Sequence, residues 1–589
     1  MIEFDRFEFD VAVVGSGGAG CTAAIEASRQ GARTALISKG PLGRSGATLL
    51  AGADIMLDGR SMLDLGYEGD PTDSPEKWAR QIAIEGFYIG DQRLVDAFVR
   101  EAPARARDLI NWGMKVHFLA DSRSIITTGP EICKALRKGL SSAGVTVFDP
   151  VMATELILAD GRIGGITGVD LRTGKGVLIR AGAVILATGG IHQMYSFNSG
   201  SDELSGDGQG LAYRAGAELI NMEFVTFCPV VILNPLKYRG SIFTYVYMHY
   251  AGMELLNRKG QPFLFKYNPE VIDMALNSEW DKLILSQAIA REIQKGRGTA
   301  NGGVWFSVNS LPRNILDGMS RRLEKNHWQG NDYGPLLDRL DRGYAIEVAP
   351  AAHYFEGGIH IGPRCEGTLG GLFAAGECAA GVFGANRVSA ATTEMVIEGH
   401  LAGASAAHFV KKEGLGDDRE HGAKAYFDKL DELLKRSKGT RPTELKERVQ
   451  RLAWNYLWVI RDGNKIERIL PEIQSIKDGL GELFIPGQEH LSFNREWITA
   501  LELNNLVPLL EVISRAALKR TESRGVHYRA DFPETDFDQW NCNLVVRDAN
   551  GSPAFRTKST TITCVEVPVG KVDYLESIRM AVTALEGCQ

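Results

Sequence analysis

A β-rich run, Phe9–Val14 (FDVAVV), leads into the turn Gly15-Ser16-Gly17-Gly18-Ala19-Gly20. An Ala-rich helical pattern continues to Gln30, Gly31 stands where a helix C′ residue would, and Arg33–Ser38 (RTALIS) reads as a second strand. That order commits the N-terminus to a βαβ start with G-x-G-x-x-G at its strand-to-helix turn. Helix N–H groups and the helix dipole meet a pyrophosphate there, and missing side chains let the backbone approach it. An ordinary tight βα turn is the plainer alternative; the strand before and helix after favour dinucleotide binding.

Two further apolar strands end in the same way. Ala183–Ala187 runs into Thr188-Gly189-Gly190, and Gly371–Ala375 (GLFAA) runs into Gly376-Glu377. Open α/β sheets bind ligands at the C-terminal edge of their strands, so three such edges in one chain predict a composite cofactor cradle.

At 589 residues the chain exceeds what a single core supports, and two to four domains are expected. With 44% hydrophobic and 24% charged residues it is neither disordered nor fibrous. A formal charge of -7 without a long Lys/Arg run argues against a nucleic-acid partner. No stretch approaches the roughly 20 apolar residues of a spanning helix, and the start MIEFDRFEFDVAVVG has no secretory pattern. The expected location is cytoplasmic, with peripheral association on the cytoplasmic membrane face left open. The cysteines at 21, 133, 228, 365, 378, 542, 564 and 588 form no C-x-x-C pair, so neither a metal site nor an iron–sulfur cluster is expected within this chain.

Between about 240 and 350 the pattern changes to Tyr/Phe-rich stretches and a helical run from Glu279 to Lys295; this reads as an inserted capping domain. Past 410 the chain is charged and helix-patterned at Ala423–Ser437, Thr443–Val459 and Leu506–Arg520. Strand-like pieces follow at Asn543–Arg547 and Thr560–Val567. The expected fold class is α/β: a Rossmann-like cofactor-binding domain (1–240 and 350–410) with an inserted capping domain (241–349). A C-terminal helical domain (411–535) and a tail (536–589) complete it.

Eight segments in order carry a family resemblance. They are GSGGAG at Gly15, LISK at Leu36–Lys39, RSGAT at Arg44–Thr48, and SGDGQGLAYRAGAELINMEF at Ser205–Phe224. HYFEGGIHI at His353–Ile361, LFAAGE at Leu372–Glu377, GANR at Gly384–Arg387 and TESRGVHYRADFPETD at Thr521–Asp536 follow. Across nearly its whole length the chain resembles the flavoprotein subunits of the succinate dehydrogenase/fumarate reductase family, related to L-aspartate oxidase and, more distantly, adenylylsulfate reductase. The resemblance implies FAD, held by Gly15, Gly17, Gly18, Ala19, Gly20, Ser38, Lys39, Ser45, Gly46, Thr188, Gly189, Gly190, Asp207, Glu377 and Thr392. Many members bond FAD covalently to a His two residues after the Arg of an R-S-H motif; here that residue is Gly46, so the FAD is expected to be noncovalent.

On the substrate side the resemblance implies that His353 and Arg387 bind substrate, and it places the catalytic Arg position on Lys282. Lysine is a cationic donor able to act as an acid, but it lacks the bidentate fork that grips a carboxylate. The family's His in an F-H-P segment falls on Cys228, a weak donor, and its Thr-Glu pair falls on Tyr245 and Val246, leaving His249 as the nearest substitute. Without the family, His353 and His249 read as core or surface histidines, Lys282 as a helix-surface partner of Asp281, and Arg387 as a structural ion-pair partner. Loss of a His, a Glu and an Arg from a dianion site predicts a C–C oxidoreductase for a substrate less charged or bulkier than succinate. The alternatives are a flavin electron-relay subunit with a vestigial site and a non-catalytic scaffold stabilised by FAD. An iron–sulfur protein subunit is the expected electron partner, alongside a small-molecule substrate. Arg524, His527 and Arg529 of the last motif are given a structural role.

Overall fold

The computed structural model describes residues 2–52, 54–116, 118–121, 123–159, 161–243, 254–267, 281–309, 311–315, 317–318, 332–387, 390–415 and 420–586. Its main sheet runs in the order Thr146–Phe148, Thr34–Ile37, Phe4–Val14, Gly176–Leu186, Arg162–Asp170, Val151–Ala159. Leu372–Ala374 joins as a seventh strand beside Gly176–Leu186. The four leading strands and Leu372–Ala374 are parallel, and the other two form an antiparallel extension. Val14 pairs with both Ile37 and Leu186, and Leu186 pairs with Ala374, so these strands end on one line. The glycine turns that follow them are therefore neighbours, as the three polar strand ends predicted.

Helix Gly18–Arg29 lies against helix Ala391–Glu413. The two backbones approach so closely that a Cβ on Gly399 would stand 2.4 Å from the Ala19 carbonyl oxygen, and one on Gly403 2.4 Å from that of Ala23. Only glycine at both positions permits this contact.

A four-stranded antiparallel sheet orders Val225–Asn234, Ile346–Phe355, Val304–Ser307 and Glu254–Leu256. Helix Asp281–Gln294 packs on its first strand with Leu285, Ala288 and Ile289 buried. The sheet takes strands from both sides of positions 240 and 350, so the edges of the capping insertion remain a proposal. Helices Pro442–Tyr456, Gly463–Leu480 and Arg495–Lys519 pack on one another, and the last also packs on Asp207–Arg214.

Three expectations need correction. The helix expected from Leu506 begins at Arg495, where the Asn494 side chain accepts from Trp497 N at 3.2 Å. Its near-complete burial hides the amphipathic rhythm from which a start is read. Helix Gly463–Leu480 has no counterpart among the expected helices; Pro471 interrupts its pattern. Thr560–Val567 is not a strand: Thr563 N donates to the Gln92 side chain at 2.6 Å instead of to a ladder, and the true strand is Ser552–Ser559. That strand pairs with Cys542–Ala549, which in turn pairs with Leu219–Ile220 and brings the tail back to the first domain.

Candidate active site

The N-terminal turn is shaped by close contacts. Gly15 has φ +108°, and a Cβ there would lie 2.2 Å from the Ala187 carbonyl oxygen; one on Gly20 would lie 1.7 Å from that of Gly15. Gly18 N donates to Thr48 Oγ1 at 2.9 Å, and Gly17 and Ala19 complete the helix start, which has no side-chain cap. Ser38 Oγ lies 2.6 Å from Ser16 Oγ and donates to the Gly40 carbonyl. Ser45 Oγ donates to the Pro41 carbonyl at 3.0 Å, and beside it Gly46, at φ +77°, has no atom within 4 Å of a would-be Cβ. Thr392 donates its hydroxyl to the Asp54 carbonyl.

The second and third edges close on the first. Thr188 Oγ1 accepts from Gly208 N at 2.9 Å, Gly189 has φ +75°, and a Cβ on Gly190 would meet Glu377 Oε1 at 2.3 Å. Glu377 accepts from Phe355 N at 3.1 Å. Gln209 Nε2 donates to the Gly189 carbonyl, while its Oε1 and the Nδ1 of nearby His192 are buried without partners among the described residues. A three-sided cradle in which Gly15, Gly20 and Gly190 leave no room for side chains, lined with unpaired buried polar atoms, fits a dinucleotide. Lys39 and Asp207 are engaged with each other at 3.2 Å, with Lys39 also on Glu502 at 2.7 Å and Asp207 on Asn505 at 2.8 Å. Lys446 completes this buried network on Glu502.

The substrate side is built around a bulge. Thr226 pairs with Tyr354 and Phe227 with Ala352, which leaves His353 as the extra residue on its strand. Bulges re-aim side chains beside active sites. His353 Nδ1 lies 2.8 Å from Ser199 Oγ, and its carbonyl is 2.7 Å from His192 Nε2. Burial, then the charges of Arg387 and Lys282 and the neighbouring His192, hold His353 well below the usual imidazole range, so it is neutral at physiological pH. Burial likewise brings His192 down to about 4. Lys282 is half-buried in the first turn of helix Asp281–Gln294, the helix that packs on the strand carrying Cys228.

Arg387, only 7% exposed, lies over Tyr354, its guanidinium carbon 3.4 Å from the ring centroid. Burial pushes the carboxyls of Glu356, Glu377 and Glu394 up to about 7, against the pull of Arg387 on each. Cys228 is buried in a small apolar cluster with Phe197, Val231, Leu233, Ala349 and Ala351. Tyr245 and His249 fall outside the described residues. Ser199, His192, Tyr354 and Glu394 were not found from sequence. Tyr354 directly follows His353, and Glu394 and Glu398 are acids four apart in an apolar helix, which is the signal that could have found them.

The last sequence motif, together with Arg520 just before it, forms a buried ion network. Arg520 pairs with Glu223 at 2.7 Å and Glu522 at 2.8 Å, all fully buried. Arg524 binds Glu522 and the carbonyls of Phe87 and Asp536. Arg529 holds Asp531 and the Ala517 carbonyl, and His527 Nδ1 sits 2.8 Å from Arg461. The described cysteines form no disulfide, and no metal-holding cluster of His, Cys, Asp or Glu occurs among the described residues. No helix among them is long and apolar enough to cross a membrane.

Residues 10–393 match the family model of an FAD binding domain, and residues 446–574 match that of the fumarate reductase flavoprotein C-terminus. The chain is 34% identical over 570 residues to a fumarate reductase (CoM/CoB) subunit from Methanothermobacter marburgensis, covering 92% of this chain and 98% of that one. It is 28% identical to the fumarate reductase flavoprotein subunit of Escherichia coli, over 95% of this chain and 94% of that one. Among solved structures, Mycobacterium smegmatis Sdh1 in complex with UQ1 superposes with a TM-score of 0.82 at 29% identity, over 95% of each chain. The glycine cradle, the inserted sheet, the helical domain and these matches agree: the chain belongs to the succinate dehydrogenase/fumarate reductase flavoprotein family, FAD-dependent oxidoreductases acting on CH–CH groups.

Proposed function

We propose that this flavoprotein oxidises or reduces a C–C bond next to a carboxyl or acyl group, in a substrate less charged or bulkier than succinate. An iron–sulfur partner takes the electrons in oxidation and supplies them in reduction, and the FAD is held noncovalently. One contrast supports this substrate class: among the described residues Arg387 is the single guanidinium whose charge acts on His353, while Cys228, where a histidine donor is expected, sits among apolar side chains.

Bound FAD supplies hydride transfer to or from the substrate carbon. Arg387 grips one carboxylate, since its planar fork suits that shape and its Nε is unpaired among the described residues. His353 is fixed by Ser199 and, being neutral, adds a hydrogen bond without a second positive charge. Lys282, in the first turn of helix Asp281–Gln294, delivers the proton to the neighbouring carbon. Burial of Arg387 keeps water from the guanidinium and strengthens its hold on the carboxylate.

A second reading is fumarate reduction itself. It is favoured by the name of the 34% identical relative and by the presence of two cations, Arg387 and Lys282, at one histidine. Anaerobic mixing of the oxidised protein with succinate, aryl-succinates and acyl thioesters separates the two. Bleaching of the flavin band by the bulkier compounds supports the first; bleaching by succinate alone supports the second.

A further inference from the structure

Three carboxyls feel the charge of the Arg387 guanidinium, those of Glu356 and Glu394 buried and that of Glu377 half-buried, and they differ in what else holds them. Glu377 has the backbone N–H groups of Phe355 and Gly190, and Glu356 has the Thr226 hydroxyl and backbone N–H groups. Glu394 accepts only from the Tyr354 hydroxyl among the described residues. The ring of that tyrosine is the surface on which Arg387 lies. One turn along the same helix stands Glu398, which accepts from Gly376 N at 2.7 Å and whose carboxyl is pushed well above the usual range by burial and the charge of Glu394. Glu394 thus depends on Arg387 more than its neighbours do.

Resting on the assignment of Arg387 to the substrate carboxylate, we propose that Glu394 and that carboxylate are alternative counter-charges of Arg387. Binding of a carboxylate is then accompanied by uptake of one proton from solvent at Glu394. Glu394 acts through Arg387 and is a positioning residue, not a catalytic one. An anion and a proton enter together, so the buried region keeps its net charge, and no second buried anion is left unpaired.

The direction of the linkage follows from the carboxyl of Glu394, held near 7 with Arg387 opposing its burial. Pairing Arg387 with a ligand removes that opposition and moves Glu394 further up. Uptake is therefore largest above about pH 7, and affinity for carboxylates falls as pH rises through that window. The other groups facing Glu394 are Tyr354 and Cys365, both pushed well above their usual ranges, together with Glu377 and Glu398.

The test uses the FAD-loaded full chain titrated with succinate and with propionate. Binding is followed by the flavin spectrum, and proton uptake by calorimetry in two buffers of different ionisation enthalpy. Wild type is expected to take up on the order of one proton per carboxylate and to bind about tenfold more weakly per pH unit above neutrality. Glu394→Gln should abolish the uptake and flatten the pH dependence. Tyr354→Phe, which removes the hydroxyl that donates to Glu394 but keeps the ring under Arg387, should keep the uptake and move its window to higher pH; this variant carries the test if Glu394→Gln does not fold. Binding that needs Arg387 but moves no proton, or uptake undiminished in Glu394→Gln, overturns the coupling while leaving the site assignment standing. Binding indifferent to Arg387→Gln, or no binding at all, overturns both.

Discussion

Gly525 approaches Ala385 so closely that a Cβ on the glycine would lie 2.1 Å from the alanine carbonyl oxygen. Val526 N donates to that same carbonyl at 3.0 Å. Ala385 is two residues before Arg387, so a turn in the helical domain sets the position of the substrate-side guanidinium.

Gly525→Ala should therefore displace the Arg387 loop. Gly525 is already at φ +52°, which adds a strain of about 1 kcal/mol for any side chain. The expected result is KM raised about tenfold with FAD content unchanged, since misplacing a binding group costs affinity before it costs the cofactor. Steady-state kinetics and the flavin-to-protein ratio check it.

Glu522 is fully enclosed by Arg520, Arg524 and the backbone N–H of Asp536. Glu522→Gln leaves two buried guanidiniums short of charge and is expected to cost about 3–5 kcal/mol. A lowered Tm with retained secondary structure by circular dichroism below that temperature is the expected signature.

The Lys39–Glu502–Lys446 network gives an acid-side pH dependence. Its two lysines hold the Glu502 carboxyl at about 2 against its burial. A depressed folded value means stability present above the ordinary carboxylate range and lost as pH falls toward about 2, worth on the order of 3 kcal/mol. Tm measured from neutral to acid pH should fall less steeply in Glu502→Gln than in wild type. Glu356 and Glu377, raised to about 7, act in the opposite sense, lowering stability as pH rises from the usual carboxylate range to neutrality.

Gly46 offers no nucleophile to the flavin. Acid precipitation of the yellow protein should leave the colour in the supernatant. A coloured pellet would mean that a different side chain bonds the FAD.

The cradle was legible because backbone rules write themselves into residue type: Gly15, Gly20 and Gly190 each stand where a Cβ has no room. His353 and Arg387 come into the proposed site by resemblance. Glu394 and Ser199 were not, since their roles come from contacts spanning 40 residues to Tyr354 and 154 to His353, which no local pattern announces. The buried helix Arg495–Lys519 escaped in part for the related reason that a helix apolar on most sides has no period to read. The inserted sheet was missed in detail because its partner strands, Val225–Asn234 and Ile346–Phe355, lie more than a hundred residues apart.

In the proposed function, one guanidinium and an apolar Cys228 corner select a substrate less charged or bulkier than succinate. The most direct measurement of that selection is kcat/KM for phenylsuccinate and succinate, side by side, with an artificial electron acceptor. A preference for phenylsuccinate of about tenfold or more is expected. Equal or better use of succinate, or fumarate reduction outpacing reduction of bulkier unsaturated acids, would contradict it.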